Sequence, residues 1–122
     1  MKVIYIAGKY SGGNEYEVKK NIATAEDAAV AIWKTLKASV VCPHLNTAHW
    51  GQLLTHQQFI DGDLAIMERC DAVLFLDGWK ESRGACLEHN HAFARNMVRL
   101  YGVDDALSWL NNEEDRYVLY RE

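Results

Sequence analysis

Apolar positions along the chain alternate between short unbroken runs and longer stretches of helical spacing. Val3-Ile4-Tyr5-Ile6-Ala7 is continuous and leads into the polar, glycine-rich stretch Gly8-Lys9-Tyr10-Ser11-Gly12-Gly13, the pattern of a strand covered on both faces of a parallel sheet. Val18, Ile22, Ala25, Ala29, Ile32 and Leu36 then recur at steps of four and three. That spacing predicts an amphipathic helix from Glu15 to Ala38, with Asn14 as its N-cap and Glu17 as the N3 partner. Val40-Val41-Cys42 predicts a second strand stopped by Pro43, and His44 to Leu54, which has neither period, predicts a loop over the sheet edge.

Thr55 and Gln58 form a capping-box pattern ahead of Phe59, Ile60, Leu64 and Met67, and Ala72 to Leu76 predicts a third strand. The turn-rich stretch Asp77 to Gly84 precedes a helix reaching Arg95, and Met97 to Tyr101 predicts a fourth strand after Asn96 as a left-handed cap. Asp105 to Leu110 predicts a short helix and Tyr117 to Tyr120 a last strand. Repeated β-α units point to an α/β protein: an open parallel sheet of about five strands with helices on both faces, flavodoxin- or Rossmann-like.

Composition narrows the function classes. With 122 residues, 49% of them hydrophobic, and one proline, the chain is expected to form one domain spanning 1–122 without a linker. Its 13 basic and 17 acidic side chains give a formal charge of -4, which argues against a polymeric nucleic acid or an anionic membrane surface as partner. No apolar stretch approaches the roughly 18 residues of a membrane span, and Met1-Lys2-Val3-Ile4 does not begin a signal peptide, so a cytoplasmic protein is expected. Cys42, Cys70 and Cys86 lack CxxC spacing and are expected to be buried free thiols.

In sheets of this type the ligand lies beyond the carboxyl ends of the strands, at the switch in strand order. That selects Gly8 to Gly13, the region from Pro43-His44, and Asp77 to Gly84 with the helix turn after it. Gly8 to Gly13 is not GxGxxG, and GxxxxGK[ST] is absent, so neither a dinucleotide fingerprint nor a P-loop is present. In Ser82-Arg83-Gly84-Ala85-Cys86-Leu87-Glu88, Gly84 permits close backbone approach, and the helix amides with Ser82 and Arg83 suit an anion. Glu88, one turn on, sits among Ala85, Cys86, Leu87, Ala92 and Phe93, where it is either a partly desolvated crevice acid or a surface glutamate. Asp63 shares much of a helical face with Phe59, Ile60, Ile66 and Met67, and is either an acid with a purpose or a solvated edge residue.

These residues carry a resemblance. Tyr5-Ile6-Ala7-Gly8 with its polar loop, the helix bearing Asp63, Cys70-Asp71-Ala72-Val73-Leu74, and Ser82 to Glu88 together resemble the nucleoside 2-deoxyribosyltransferase superfamily. The nearest relatives look like the 2'-deoxynucleoside 5'-phosphate N-hydrolases, and the similarity runs through most of Met1 to Tyr101. The resemblance implies Glu88 as nucleophile, Asp63 as the acid working with it, Tyr5 and Gly8 as the first-strand motif, and Ser82 as a phosphate contact. His44 falls where the hydrolases also have a histidine. The transferases carry an acid where this chain has Ser82, Lys9 stands in place of a hydrolase serine, and Ser11 where those enzymes can have an arginine. The expected substrate-binding set is therefore Tyr5, Gly8, Lys9, Tyr10, Ser11, His44, Ser82, Arg83 and Gly84. The family also implies a homodimer or higher homo-oligomer.

The expected reaction is cleavage of the N-glycosidic bond of a (deoxy)nucleoside 5'-monophosphate, with Glu88 stabilising or capturing the oxocarbenium-like sugar and Asp63 assisting the departing base. Base exchange between nucleosides and nucleotide binding without turnover are the alternatives. No cofactor and no metal is expected: HExxH is absent, and His89 and His91, two residues apart, point to different sides of a helix. His44 is equally a buried structural histidine or a substrate contact. Trp33, Trp50, Trp79 and Trp109 read first as core or interface residues, with Trp50 and Trp79 placed where they could cover a nucleobase.

Overall fold

The computed structural model describes residues 1–10, 12–43 and 53–116. Its elements, in chain order, are β1 (Lys2–Ala7), α1 (Glu15–Trp33), β2 (Ala38–Val41), α2 (His56–Met67), β3 (Ala72–Phe75), a single 3-10 turn (Trp79–Glu81), α3 (Arg83–Ala94), β4 (Val98–Tyr101) and α4 (Val103–Arg116). The strands form one sheet in the order β2-β1-β3-β4, and all pairings are parallel. This is the open, Rossmann-like α/β arrangement that the alternating pattern predicts. Among the described residues the sheet has four strands, not about five, and the strand expected at Tyr117 to Tyr120 lies outside the described residues.

Period-two alternation in the strands builds two cores. Ile4, Ile6, Leu74 and Leu100 face α1 and α4, packing with Ala25, Ala29, Ile32 and Trp109. Tyr5, Ala7, Val73 and Phe75 face the opposite way and pack with Met67 of α2 and Ala92 of α3. A strand buried on both sides cannot alternate apolar with polar, which is why β1 reads as an unbroken apolar run.

Caps fix most helix starts. Asn14 accepts from the Glu17 amide at 2.9 Å, and Thr55 and Gln58 close both halves of the capping box. Element ends depart from expectation by a few residues. The first helix stops at Trp33 rather than Ala38: the Thr35 hydroxyl donates to the Ile32 carbonyl at 2.7 Å, and Leu36 is left-handed with φ 62°, which turns the chain into β2. That strand starts at Ala38 and excludes Cys42. Asn96 adopts the expected left-handed cap with φ 55°. The short helix expected over Asp105 to Leu110 is part of the longer α4, whose Asp105 carboxylate accepts from the Tyr101 amide at 3.0 Å. Cys42 is buried, but Cys70 and Cys86 are only half-buried, so the expectation of three buried thiols holds for one; none of the three is in a disulfide. No helix among the described residues is long and apolar enough to cross a membrane.

β2 lies on one side of β1, whereas β3 and β4 lie on the other. The connection leaving β1 towards β2 and the connection leaving β3 towards β4 therefore diverge at the carboxyl ends of the two central strands, opening a crevice there.

Candidate functional site

A cavity of about 420 Å³ occupies that crevice. It is lined by Gly8, Lys9 and Tyr10 after β1, by Phe59, Ile60 and Asp63 of α2, and by Glu81, Ser82, Arg83, Gly84, Ala85 and Glu88 around the start of α3. Eight of the residues singled out by sequence thus meet in one space: Gly8, Lys9, Tyr10, Asp63, Ser82, Arg83, Gly84 and Glu88. Tyr5 joins them through Glu88. Ser11 and His44, both expected to contact substrate, lie outside the described residues, as does Trp50.

Glu88 is on the inward face of α3 with Ala85 and Ala92, at helical steps of three and four. Those two alanines allow the helix close to the sheet, so a longer side chain between them reaches β1. Glu88 is 7% exposed, and its Oε2 accepts a short hydrogen bond from the hydroxyl of the fully buried Tyr5. Burial pushes the Glu88 carboxyl up to about 7; the Tyr5 bond opposes that rise and the charge of Asp63 adds to it. Burial, reinforced by the charges of Glu88 and Asp63, holds the Tyr5 phenol well above its ordinary range. It therefore stays a hydrogen-bond donor throughout the working pH range. Asp63, half-buried on the cavity face of α2, is raised to about 6 by burial. Two carboxyls with elevated affinity for protons thus share one cavity, a constellation suited to acid-base and nucleophilic chemistry.

The start of α3, which lines the same cavity, suits an anion. Ser82 is the N-cap of α3, its Oγ accepting from the Ala85 amide at 3.2 Å. A serine hydroxyl has one donor and two acceptor positions, so capping leaves the O–H free to donate into the cavity. Arg83 and Gly84, the first residues of α3, have amides without acceptors inside the helix, and these lie at the positive end of the macrodipole. The glycines differ in what requires them. A Cβ on Gly8 would lie 2.9 Å from Leu76 Cδ1 and 3.1 Å from its Cβ, so a larger residue there would have to displace the Leu76 side chain. At Gly84 it would meet Ile60 Cδ1 at an ordinary 3.5 Å. Lys9, expected to add positive charge to the substrate site, lines the cavity and also bridges Glu81 at 3.3 Å. The Tyr10 carbonyl is held by the Asn21 side-chain amide at 3.1 Å.

Several lining residues were not among the expected site residues. Leu54, His56 and Glu81 belong here; His56 extends the cavity face of α2, at one helical turn before Phe59 and Ile60, a spacing visible in the sequence. Nothing in the composition of the loop before Ser82 distinguishes Glu81 from a solvated acid. Trp79 does not line the cavity: it packs on Phe75 with centroids 5.2 Å apart and stacks on His89 at 4.3 Å. His89 and His91 diverge as their spacing predicts, His89 meeting the Tyr101 hydroxyl at 2.8 Å and His91 meeting Glu68 at 2.6 Å.

Fold and cavity together define an open parallel α/β protein with a paired-carboxyl crevice at its switch point. The profile of the family described as "Domain of unknown function (DUF4406)" matches residues 2–101, and the chain belongs to that family. The match takes in all four strands and every site residue named above. No curated protein matches the chain.

Proposed function

We propose that this protein hydrolyses the N-glycosidic bond of a (deoxy)nucleoside 5'-monophosphate, giving the free base and the sugar 5-phosphate. The observation that carries this reading is the buried Glu88 carboxylate, oriented by Tyr5 in a cavity that also holds Asp63 and an anion-suited helix start.

The roles follow from the atoms available. Tyr5 occupies Oε2 of Glu88, leaving Oε1 to form a bond to C1' as the C1'–N bond breaks and its electron pair departs with the base. Asp63 in its protonated form gives that base its proton. Water then attacks C1', the Glu88–C1' bond breaks back to carboxylate, and Asp63 takes up the water proton, so that both groups return to their starting states. Leu54, Phe59 and Ile60 supply an apolar wall of the cavity for the base, while Ser82, Arg83 and the first amides of α3 receive the 5'-phosphate.

A screen of nucleosides and nucleoside monophosphates with chromatographic detection of released base tests the proposal. Release of base from a monophosphate, lost in Glu88→Ala, supports it. Base exchange without net hydrolysis assigns transfer instead, and binding without any base release leaves a nucleotide-binding protein.

A further inference from the structure

Glu81 is an acid at the end of the cavity that otherwise collects positive groups. It bridges Lys9 at 3.3 Å, with its side chain 72% exposed, and directly precedes Ser82, the cap of α3. Its backbone is firmly held. The Glu81 amide donates to the Gly78 carbonyl at 3.0 Å and the Ser82 amide to that of Trp79 at 3.0 Å. Cys86 Sγ meets the Lys80 carbonyl at 3.4 Å, and Trp79 is stacked on His89. The left-handed Gly78, φ 83°, sets the turn that begins this segment. A mobile surface acid would drift away from an incoming anion; one on a pinned turn stays close to it.

We infer that Glu81 is a specificity-determining charge filter, admitting a single phosphate group and opposing the additional charge of nucleoside di- and triphosphates. This rests on the nucleotide reading above and extends it to the length of the phosphate chain. Lys9 and Arg83 contribute two positive charges at this end and Glu81 removes one, leaving a net charge of plus one against the roughly two negative charges that a phosphomonoester carries at neutral pH. Glu81 lines the same cavity as Glu88 and Asp63 and is the most exposed of the three acids, so a phosphate chain that lengthens out of the cavity is taken to pass it. There each added negative charge meets a like charge, and for a separation of about 6 to 7 Å in water Coulomb's law gives about threefold weaker binding per charge.

The test is calorimetric binding, at low ionic strength, of the common deoxynucleosides with their mono- and diphosphates to wild type, Glu81→Gln and Glu81→Asp, alongside base release from each. Removing the charge in Glu81→Gln is expected to change nucleoside binding by less than twofold. It should tighten monophosphate binding several-fold and shift the ratio of diphosphate to monophosphate affinity at least threefold toward the diphosphate. Glu81→Asp keeps the wild-type ladder. A wild type that binds and cleaves monophosphates while Glu81→Gln leaves the ladder unchanged, or moves all three ligands equally, overturns the filter alone. A wild type that binds none of these compounds overturns the nucleotide reading and the filter with it.

Discussion

The Tyr5 hydroxyl donates to Oε2 of Glu88, joining the centre of β1 to the inner face of α3 across 83 positions of sequence. Both side chains are buried, so the bond fixes the carboxylate rotamer and is the only hydrogen bond given to it by the described residues. Tyr5→Phe retains the ring and its packing but leaves a buried carboxylate short of a donor, at a cost of about 1 to 3 kcal/mol. The variant should be less stable than wild type at pH 8, where Glu88 is ionised, and should cleave its substrate at least tenfold more slowly. Because the Tyr5 bond lowers the Glu88 pKa, losing it should raise that pKa and carry the alkaline edge of the kcat/KM profile, which follows the higher-pKa member of the pair, to higher pH. Unchanged activity with an unchanged pH profile would remove Tyr5 from the site.

The paired acids set the pH dependence of the proposed reaction. Glu88 must be ionised to attack and Asp63 protonated to assist the base, yet Glu88 rises to about 7 and Asp63 to about 6. The pair is coupled, so kcat/KM should follow a bell with its maximum between about pH 6 and 7, falling on both sides. The productive arrangement of the single shared proton is then the minor one in the free protein. Asp63→Asn should lower turnover, least for substrates with good leaving groups, and should abolish the alkaline fall. A bell unaltered by Asp63→Asn would assign both limbs to other groups.

Glu88 also makes stability fall with rising pH. Its carboxyl holds a proton up to about pH 7 in the fold against an ordinary 4.5, so the folded state binds that proton more tightly than the unfolded chain does. Stability is then highest below about 4.5 and declines as pH rises through 7, by about 3 kcal/mol for this group. Glu88→Gln cannot ionise. It should abolish base release yet unfold at higher denaturant than wild type at pH 8, with the difference vanishing near pH 4.5. Equal stability of the two proteins at pH 8 would contradict the desolvated state of Glu88.

Much of this geometry is legible in the sequence, and the remainder is not for identifiable reasons. Strands buried on both faces, the Asn14 and Thr55 caps and the left-handed Asn96 depend on local chemistry, so pattern alone locates them. Where α1 ends depends on the Thr35 hydroxyl and on Leu36 accepting a left-handed backbone, which no helical periodicity reports. In the site, Glu88 stands out as an acid on an alanine-lined face, but its hydrogen bond with Tyr5 requires knowing that β1 is central and that α3 packs on the face of the sheet from which Tyr5 projects. Lys9 shows the limit most plainly. Its charge reads from sequence as a phosphate contact, whereas its pairing with Glu81 arises only when the ends of two distant connections are brought together by the β1-β3 pairing.

Glu68 should show the opposite pH dependence from Glu88. At the C-cap of α2 it receives His91 of α3 at 2.6 Å and Arg95 at 3.6 Å, a tie between the helices that carry Asp63 and Glu88. The hydrogen bond from His91, then the charges of Arg95, His91 and Arg69, hold the Glu68 carboxyl below its ordinary 4.5. Its stabilising contribution is therefore complete above about 4.5 and is lost as pH falls through the depressed folded value. Glu68→Gln should lower the midpoint of unfolding at pH 7 and approach wild type at pH 3. A gap that persists at pH 3 would make the effect one of packing rather than charge.

Ser82 has two roles, capping α3 and donating to the substrate phosphate, and Ser82→Asp separates them. Aspartate is as good an N-cap as serine and carries its negative charge at the favourable end of the helix dipole, so the Ala85 amide keeps an acceptor and stability should stay within about 0.5 kcal/mol of wild type. Ser82→Ala removes the cap and should cost about 0.5 to 2 kcal/mol. For the ligand the order is reversed. Alanine only deletes one donor, whereas aspartate deletes it and places a like charge against the phosphate in a cavity partly screened from water. The preference for a nucleoside monophosphate over its nucleoside, measured as a ratio of kcat/KM values, should fall several-fold in Ser82→Ala and at least tenfold in Ser82→Asp, while cleavage of the nucleoside itself changes little in either. A Ser82→Asp protein that keeps the wild-type preference would place the phosphate elsewhere and leave Ser82 with the cap alone.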